Sequence, residues 1–524
     1  MSSSSNAPQQ PLKLSPLHGP ALLLGTMALS LATFMNVLDS SIANVAIPSI
    51  SGDLGVSPAQ GTWVITSFGV ANAISVPLTG WLTQRFGAVR LFTMSVLLFV
   101  LTSWLCGFAT SLEMLVFFRV LQGLVAGPMI PLSQTLLLSS YPSAMAGTAL
   151  ALWGVTTLVA PVVGPLLGGW ITDNISWPWI FYINVPVGLF AAALTWGIYR
   201  QRETPTRKLP IDTIGLTLLV LWVGSLQLML DKGKELDWFS SGEIITLAVV
   251  ALLGFAVFVV WELTDDHPVV DLRLFARRNF AAGSISLSIA YGLFFGNVVL
   301  LPLWLQQWMG YTATTAGMAL APVGIFAILL TPLVGKKVAQ WDPRKMATGA
   351  FMVFALVLWM RSQFTTETDL VHILIPTVIQ GAAMAFFFIP LTTLTLSGLP
   401  PERIPAAAGL SNFVRITAGA MGTSIATTLW DSRATLHHAH LTEGLIQGQG
   451  VFAISLQNLQ ASGLSQVQAL AQINRLIDQQ AYTRAADDIF LGSSFLFLTL
   501  IVLIWQTRRP VPGGAGSADA AGAH

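Results

Sequence analysis

The chain has 524 residues, is 54% hydrophobic and only 9% charged, and carries a net charge of +1. A soluble domain carries about 25% charged residues, so this composition excludes an ordinary soluble globule, and its balanced charge gives no reason to expect nucleic acid. The single cysteine, Cys106, excludes a disulfide framework and a cysteine-based metal site.

Met1 to Pro20 is polar and rich in Ser, Gln and Pro. It has neither the charged n-region nor the cleavage site of a signal peptide and reads as a disordered tail. Fourteen apolar stretches follow, each long enough for a helix to cross a bilayer: 20–46, 59–82, 89–109, 112–138, 145–173, 178–199, 211–230, 241–263, 279–306, 312–335, 344–362, 370–396, 404–430 and 487–507. The expected fold is an all-α membrane protein with 14 transmembrane helices. Seventeen of the 25 Lys and Arg fall in segments on the side of the N-terminus, six fall on the other side, Arg361 among them, and Arg119 and Arg415 lie within spans. That bias predicts both termini in the cytoplasm.

Two halves are legible. Gln122-Gly123 to Pro142 matches Gln380-Gly381 to Pro400 at a constant offset of 258, each copy with Ile-Pro-Leu in its middle, and the offset carries Gly164 onto Gly422. Internal repeats of this kind are typical of transporters, whose substrate site lies between them. The expected division is a tail over 1–20, a six-helix half over 21–200 and a linker with two extra helices over 201–278. A second six-helix half follows over 279–507 and a tail over 508–524. Within the second half, 431–486 is a periplasmic segment between the last two spans. Its Leu464, Val467, Leu470, Ile473 and Ile477 recur at helical spacing, which fits either a hairpin extending those spans or a docking surface for another protein.

Charges inside spans are costly and default to function. Asp39 and Arg119 sit at matched depth, roughly 10 Å below the outer surface at 1.5 Å per residue, and form a candidate pair. Arg stays charged whereas Asp can take a proton, so protonating Asp39 would release Arg119. A static ion pair joining two helices is the plainer alternative. Arg415, near mid-membrane, either attracts anions from a cavity or pairs with backbone carbonyls. Asn36 shares a face with Asp39, and Tyr291, Phe294 and Asn297 form a similar stripe in the ninth span. Facing a central cavity, these residues suit amphiphilic organic cargo, while helix packing explains each of them as well.

Gly80 to Arg90 forms a tight turn in which Gly87 permits the reversal and Arg85 and Arg90 cap helix ends or meet carboxylates. Pro161, Gly164, Pro165, Gly168 and Gly169 fall in the fifth span, where small residues allow close helix approach and prolines bend the helix, as at an interface that rocks. His437, His438 and His440 cluster outside the membrane without a carboxylate at helical spacing, so no metal is expected. No phosphate-binding loop and no nucleophile–base cluster is present, so neither ATP use nor an enzyme is expected.

These stretches resemble the major facilitator superfamily. Arg119 to Gly123 resembles its intramembrane arginine motif, Gly80 to Arg90 its loop motif, and Gly164 to Gly169 its antiporter motif. Leu38 to Pro48 resembles the first-span motif of its fourteen-span drug:proton antiporters. Gly61 to Gly69 and Leu396 to Arg403 bring the likeness closest to the inner-membrane multidrug pumps of Gram-negative bacteria. It runs from about Ala21 to Arg509, with Gln84 where the loop motif usually has an acid and Thr377 where the second copy would have its arginine. The resemblance implies proton-driven export of hydrophobic or amphiphilic drugs, hence antibiotic resistance, with the proton gradient as energy source and no cofactor. It also implies a tripartite efflux system, with a periplasmic adaptor protein and an outer-membrane channel, and proton coupling by Asp39 and Arg119. Export of an endogenous metabolite or siderophore, and a membrane receptor or scaffold using the 431–486 segment, are the alternatives.

Overall fold

The computed structural model describes residues 16–509 apart from 57, 143–144, 208–209, 211, 234, 312, 338–339 and 448. The expected tails lie largely outside the described residues. Among those residues the regular structure is helical: α1 (Gly19–Asp53), α2 (Trp63–Phe86), α3 (Ala88–Gly107), α4 (Leu112–Ser140), α5 (Ala146–Asn174), α6 (Trp179–Tyr199), α7 (Thr213–Lys232), α8 (Gly242–Thr264), α9 (Arg278–Gln307), α10 (Ala313–Lys337), α11 (Pro343–Arg361), α12 (Leu370–Leu396), α13 (Ile404–Gln447), α14 (Gln449–Ala461) and α15 (Gln466–Ile504). Helices thus cover all fourteen expected stretches. Counted among the described residues, ten are long and apolar enough by themselves to cross a membrane, and α5, α10, α11 and α13 stand at the other four expected stretches. Polar content separates two of these from the ten: α11 carries Arg344, Lys345 and Arg361, and α13 is rich in Gly, Ser and Thr.

Local chemistry sets the helix ends. Ser111, Asp212, Asp342 and Asp369 each accept backbone N–H bonds at the start of α4, α7, α11 and α12, satisfying donors that the first turn leaves free. Ser465 and Gln468 form a reciprocal capping box at α15. Between α2 and α3 the chain reverses at Gly87, whose φ of +87° disfavours a side chain. A 3-10 turn at Val76–Leu78 breaks α2 around Pro77, and Pro302, Pro376 and Pro390 lie within α9 and α12.

In the first half α1 packs against α5 and α6; in the second, α9 packs against α13 and α12. The second half is filled by Phe351, Phe354, Phe387 and Phe497, with Phe354 and Phe497 stacked at 5.0 Å. The halves meet where Gly80 of α2 lies against Ala406 of α13, where Trp153 of α5 faces Phe388 of α12 at 6.0 Å, and along α5 and α10. The extra helix α7 wedges between α2 and α13: Trp222 meets Phe413 edge-on at 5.7 Å, and Ser424 donates to the Leu230 carbonyl at 3.0 Å.

Two glycines related by the repeat mark close approaches between helices. A side-chain carbon on Gly164 would fall on Ser41 of α1, and one on Gly422 would fall on the backbone of Gly292 in α9. Backbone cannot yield as a side chain can, so Gly422→Val is expected to force α9 and α13 apart, at about 1–3 kcal/mol or more. The check is recovery of monodisperse protein after detergent extraction; wild-type recovery and thermal stability would refute it.

The segment 431–486 continues the bundle. α13 runs unbroken to Gln447, α14 crosses over, and α15 returns, so the hairpin reading describes its backbone. Ala469 and Ile473 are buried, whereas Val467 and Leu470 face outward.

Candidate functional site

Asp39 and Arg119 are both fully buried, and Arg119 Nη1 donates to Asp39 Oδ2 at 2.6 Å. Five helices build the cage around them. α4 supplies Arg119 and, one turn on, Gln122, whose Nε2 donates to Asp39 Oδ1 at 3.1 Å while its Oε1 accepts from Arg119 Nη1 at 2.7 Å. α6 supplies Asn184, which donates to the same Asp39 Oδ1 at 2.8 Å and to Ser103 Oγ of α3 at 3.0 Å. α2 supplies the Val64 carbonyl, which accepts from Arg119 Nε at 2.9 Å, and the Phe68 ring, 4.2 Å from the guanidinium carbon. Phe181 of α6 faces that carbon at 5.5 Å. Cys106 Sγ lies 3.5 Å from Gln122 Oε1. Arg119 Nη2 has no partner among the described residues. A buried charge pair persists only when its remaining donors and acceptors are nearly satisfied, and this one is. Asn184 and Ser103 are polar residues inside spans, and only the packing of α3 and α6 brings them to Asp39.

The close-packing stretch of α5 lies against the helix that carries Asp39. Gly168 abuts Ile42, and Ser41 Oγ donates to the Ala160 carbonyl at 3.3 Å. α5 is continuous through Gly164, Gly168 and Gly169; the side chains of Pro161 and Pro165 lie outside the described residues.

The loop motif contains a contact that the sequence hides. Glu203, in the segment after α6, accepts from the backbone N–H groups of Val89 at 3.0 Å and Arg90 at 2.9 Å, and its Oε2 lies 3.9 Å from Arg90 Nε. A carboxylate at a helix N-terminus is favourable, so Glu203 brings an acid to the turn where Gln84 has none. Arg85 lies over Trp81 at 5.5 Å.

The other candidates separate into two groups. Arg415 is buried, donates to Asn412 Oδ1 at 2.6 Å, and lies over Tyr291 at 4.6 Å and Phe388 at 4.9 Å. It lines a small central cavity of about 10 Å3 with Gln134 of the first half and Asn412 of the second, which are themselves bonded at 2.8 Å. Phe294 packs on Phe354 at 6.1 Å, and Asn297 donates to Ser493 of α15 at 3.1 Å, so both turn into the second half and away from that cavity. Asn36 donates to the Ala126 carbonyl at 3.2 Å and ties α1 to α4. Outside the membrane, His437 meets Asp488 at 2.9 Å and His438 meets Asp478 at 3.5 Å. No group of three or more metal-ligating side chains occurs among the described residues.

In the second half Arg361 corrects the charge count. It is fully buried at the end of α11 and donates to Gln380 Oε1 at 2.6 Å and Thr377 Oγ1 at 3.3 Å, so it is not a charge of the outer segment. Gln380 is the repeat image of Gln122, and Asn297 stands at Asp39's position plus 258. The second half therefore keeps a buried cation and its glutamine but has an amide where the first half has its acid.

Residues 29–423 match the family model described as Major Facilitator Superfamily. The chain is 53% identical to the multidrug export protein EmrB of Escherichia coli K12 over 96% of its own length and 99% of that protein's. It is 48% identical to the fatty acid resistance protein FarB of Neisseria gonorrhoeae, over 96% and 99%. Its fold is similar to the crystal structure of the human organic anion transporter MFSD10, with a TM-score of 0.58 at 12% identity, covering 93% of this chain and 100% of that one. With that match and that depth of identity, the chain is a multi-pass membrane transporter that belongs to the major facilitator superfamily and, within it, to the family of the EmrB multidrug export proteins.

Proposed function

We propose that the chain is a proton-driven multidrug exporter that works by alternating access. The observation that carries this reading is the buried Asp39–Arg119 pair, caged by five helices and adjoining the close-packed α1–α5 interface. In the outward-open state a proton loads Asp39, releases Arg119, and cargo leaves; in the inward-open state Asp39 loses the proton and cargo binds. The proton is the only energy source required and no cofactor takes part. The test is a cargo panel in proteoliposomes under an imposed pH gradient. Cargo-stimulated proton flux by the protein alone supports export, and its absence across the panel favours a receptor or scaffold.

Cargo class follows from Arg415, which borders the central cavity with Phe388 and lies over the Tyr291 and Phe388 rings. A cation between aromatic rings suits amphiphilic compounds with an acidic group. The names of two relatives, one for multidrug export and one for fatty acid resistance, are consistent with that class. Arg415→Gln is expected to lower transport of acidic cargo about tenfold, the loss of roughly one charge-assisted hydrogen bond, while neutral cargo is unaffected. Equal losses for both cargoes would refute the assignment. Phe294, Asn297 and Asn36 act at one remove, by holding the helices that border the cavity.

Placement in the bacterial inner membrane with both termini cytoplasmic rests on the Lys and Arg bias. The α13–α15 hairpin then projects into the periplasm, and its outward Val467 and Leu470 offer apolar contacts to an EmrA-like adaptor that would hand cargo to a TolC-like outer-membrane channel. Export of a single endogenous metabolite or siderophore is distinguished by accumulation of that compound in a deletion strain.

A further inference from the structure

Away from the central cavity, a groove of about 720 Å3 runs between α11 and α12 near the end of the chain. Its walls are apolar, built from Met346 and Val353 on α11 and Ile379 and Phe386 on α12, and the small residues Gly349 and Ala382 keep it open. α11 lies at the edge of its half, with Met352, Leu356 and Trp359 exposed beside the groove. The mouth is different in kind. Lys345 and Arg509 stand there, with Trp341 half-exposed and Lys337 over its ring at 5.9 Å. The one acid at the mouth, Asp342, is held by Arg344 at 2.8 Å, and that hydrogen bond keeps its carboxyl below the usual carboxylate range. Asp342 is thus ionised and already engaged. Among the described residues no carboxylate forms an ion pair with Lys345 or Arg509, and Asp342 acts on Arg509 only at longer range.

An apolar slot under a basic, aromatic-flanked mouth matches one molecule by its chemistry: a negatively charged phosphate above hydrocarbon chains. In a membrane-spanning bundle the mouth lies at headgroup depth and the slot at acyl-chain depth. A soluble anion would use the mouth and leave the slot empty, and an uncharged hydrocarbon would use the slot alone.

We propose that this groove holds an anionic phospholipid from the leaflet on the side of the chain's termini, its headgroup on Lys345 and Arg509 and an acyl chain between α11 and α12. The bound lipid then touches the helix that serves the central cavity, because Phe386 in the groove and Phe388 beneath Arg415 are two residues apart on α12. This inference rests on membrane insertion and not on the export reading, so a failure of either leaves the other standing.

The test is native mass spectrometry of the full chain released from mixed phosphatidylglycerol–phosphatidylcholine nanodiscs. Retention of phosphatidylglycerol is expected to exceed that of phosphatidylcholine by roughly tenfold, the scale set by two basic side chains at a membrane surface. The Lys345→Gln/Arg509→Gln double variant is expected to lose that preference. Val353→Trp, which fills the slot and leaves the mouth intact, is expected to reduce retention of both lipids. Equal retention of the two lipids by the wild type would overturn the proposal. So would an undiminished preference in the double variant, undiminished retention in Val353→Trp, or displacement of phosphatidylglycerol by glycerol phosphate at equal concentration, which would mark a site for a free anion.

Discussion

Asp39→Asn is expected to reduce cargo-driven proton flux in proteoliposomes to that of empty vesicles, with the protein still inserted and folded. Stability is expected to fall only in part, because Arg119 keeps the Val64 carbonyl and Gln122 Oε1, while function is lost outright. Asn retains an oxygen that can accept from Gln122 and Asn184, as Asp39 Oδ1 does at 3.1 and 2.8 Å. It cannot ionise, and its NH2 faces Arg119 Nη1, a donor meeting a donor. The cage stays filled while its carboxyl group is removed. Flux is read by a pH-sensitive dye inside the vesicles, and insertion by the monodispersity of the extracted protein. A variant that still couples cargo to protons would remove Asp39 from the mechanism.

Arg119→Met is expected to be the most destabilising single change in the site, because it strands an ionised carboxylate at zero exposure. Breaking one side of a buried pair costs about 3–5 kcal/mol, whereas neutralising both sides costs far less. The double variant Arg119→Met/Asp39→Asn is therefore expected to recover most of the lost thermal stability and none of the transport. Arg119→Lys should not substitute either. A lysine has no second nitrogen to reach the Val64 carbonyl while it meets Asp39 and Gln122, as Arg119 does. If the double variant is no more stable than Arg119→Met alone, the two side chains do not depend on each other energetically.

The sequence carried the fold because lipid leaves a chain few choices. Backbone groups in hydrocarbon must bond within their own helix, so apolar runs of span length become helices almost without competition. For the same reason Asp39 and Arg119 were visible: a charge in such a run stands out, and helical rise converts position into depth. What stayed hidden depends on which helices become neighbours. Asn184 and Ser103 reach Asp39 from two other helices, and nothing near either residue announces that contact. Glu203 lies 113 positions beyond the Arg90 N–H it accepts from, in a loop where an acid looks like any other surface charge. Arg361 reads as a charge of the outer segment because it follows the last apolar residue of its span; the packing of α12 across it makes it interior. The stripe on α9 shows the same limit. Periodicity says that Tyr291, Phe294 and Asn297 share a side of a helix, but each is claimed by a different neighbour, Arg415, Phe354 and Ser493.

The unbroken course of α13 gives the molecule a lever. From Asp431 to Gln447 the helix continues past its membrane span, at 1.5 Å per residue an arm of ~25 Å. Its foot is clamped at Gly422 against Gly292 and its flank is held by Trp430, whose indole donates to the Tyr482 carbonyl of α15 at 2.9 Å. An arm fixed at its base amplifies whatever its base does. A tilt of only ~10° at that base would sweep the tip by ~4 Å, about three-quarters of one helical turn.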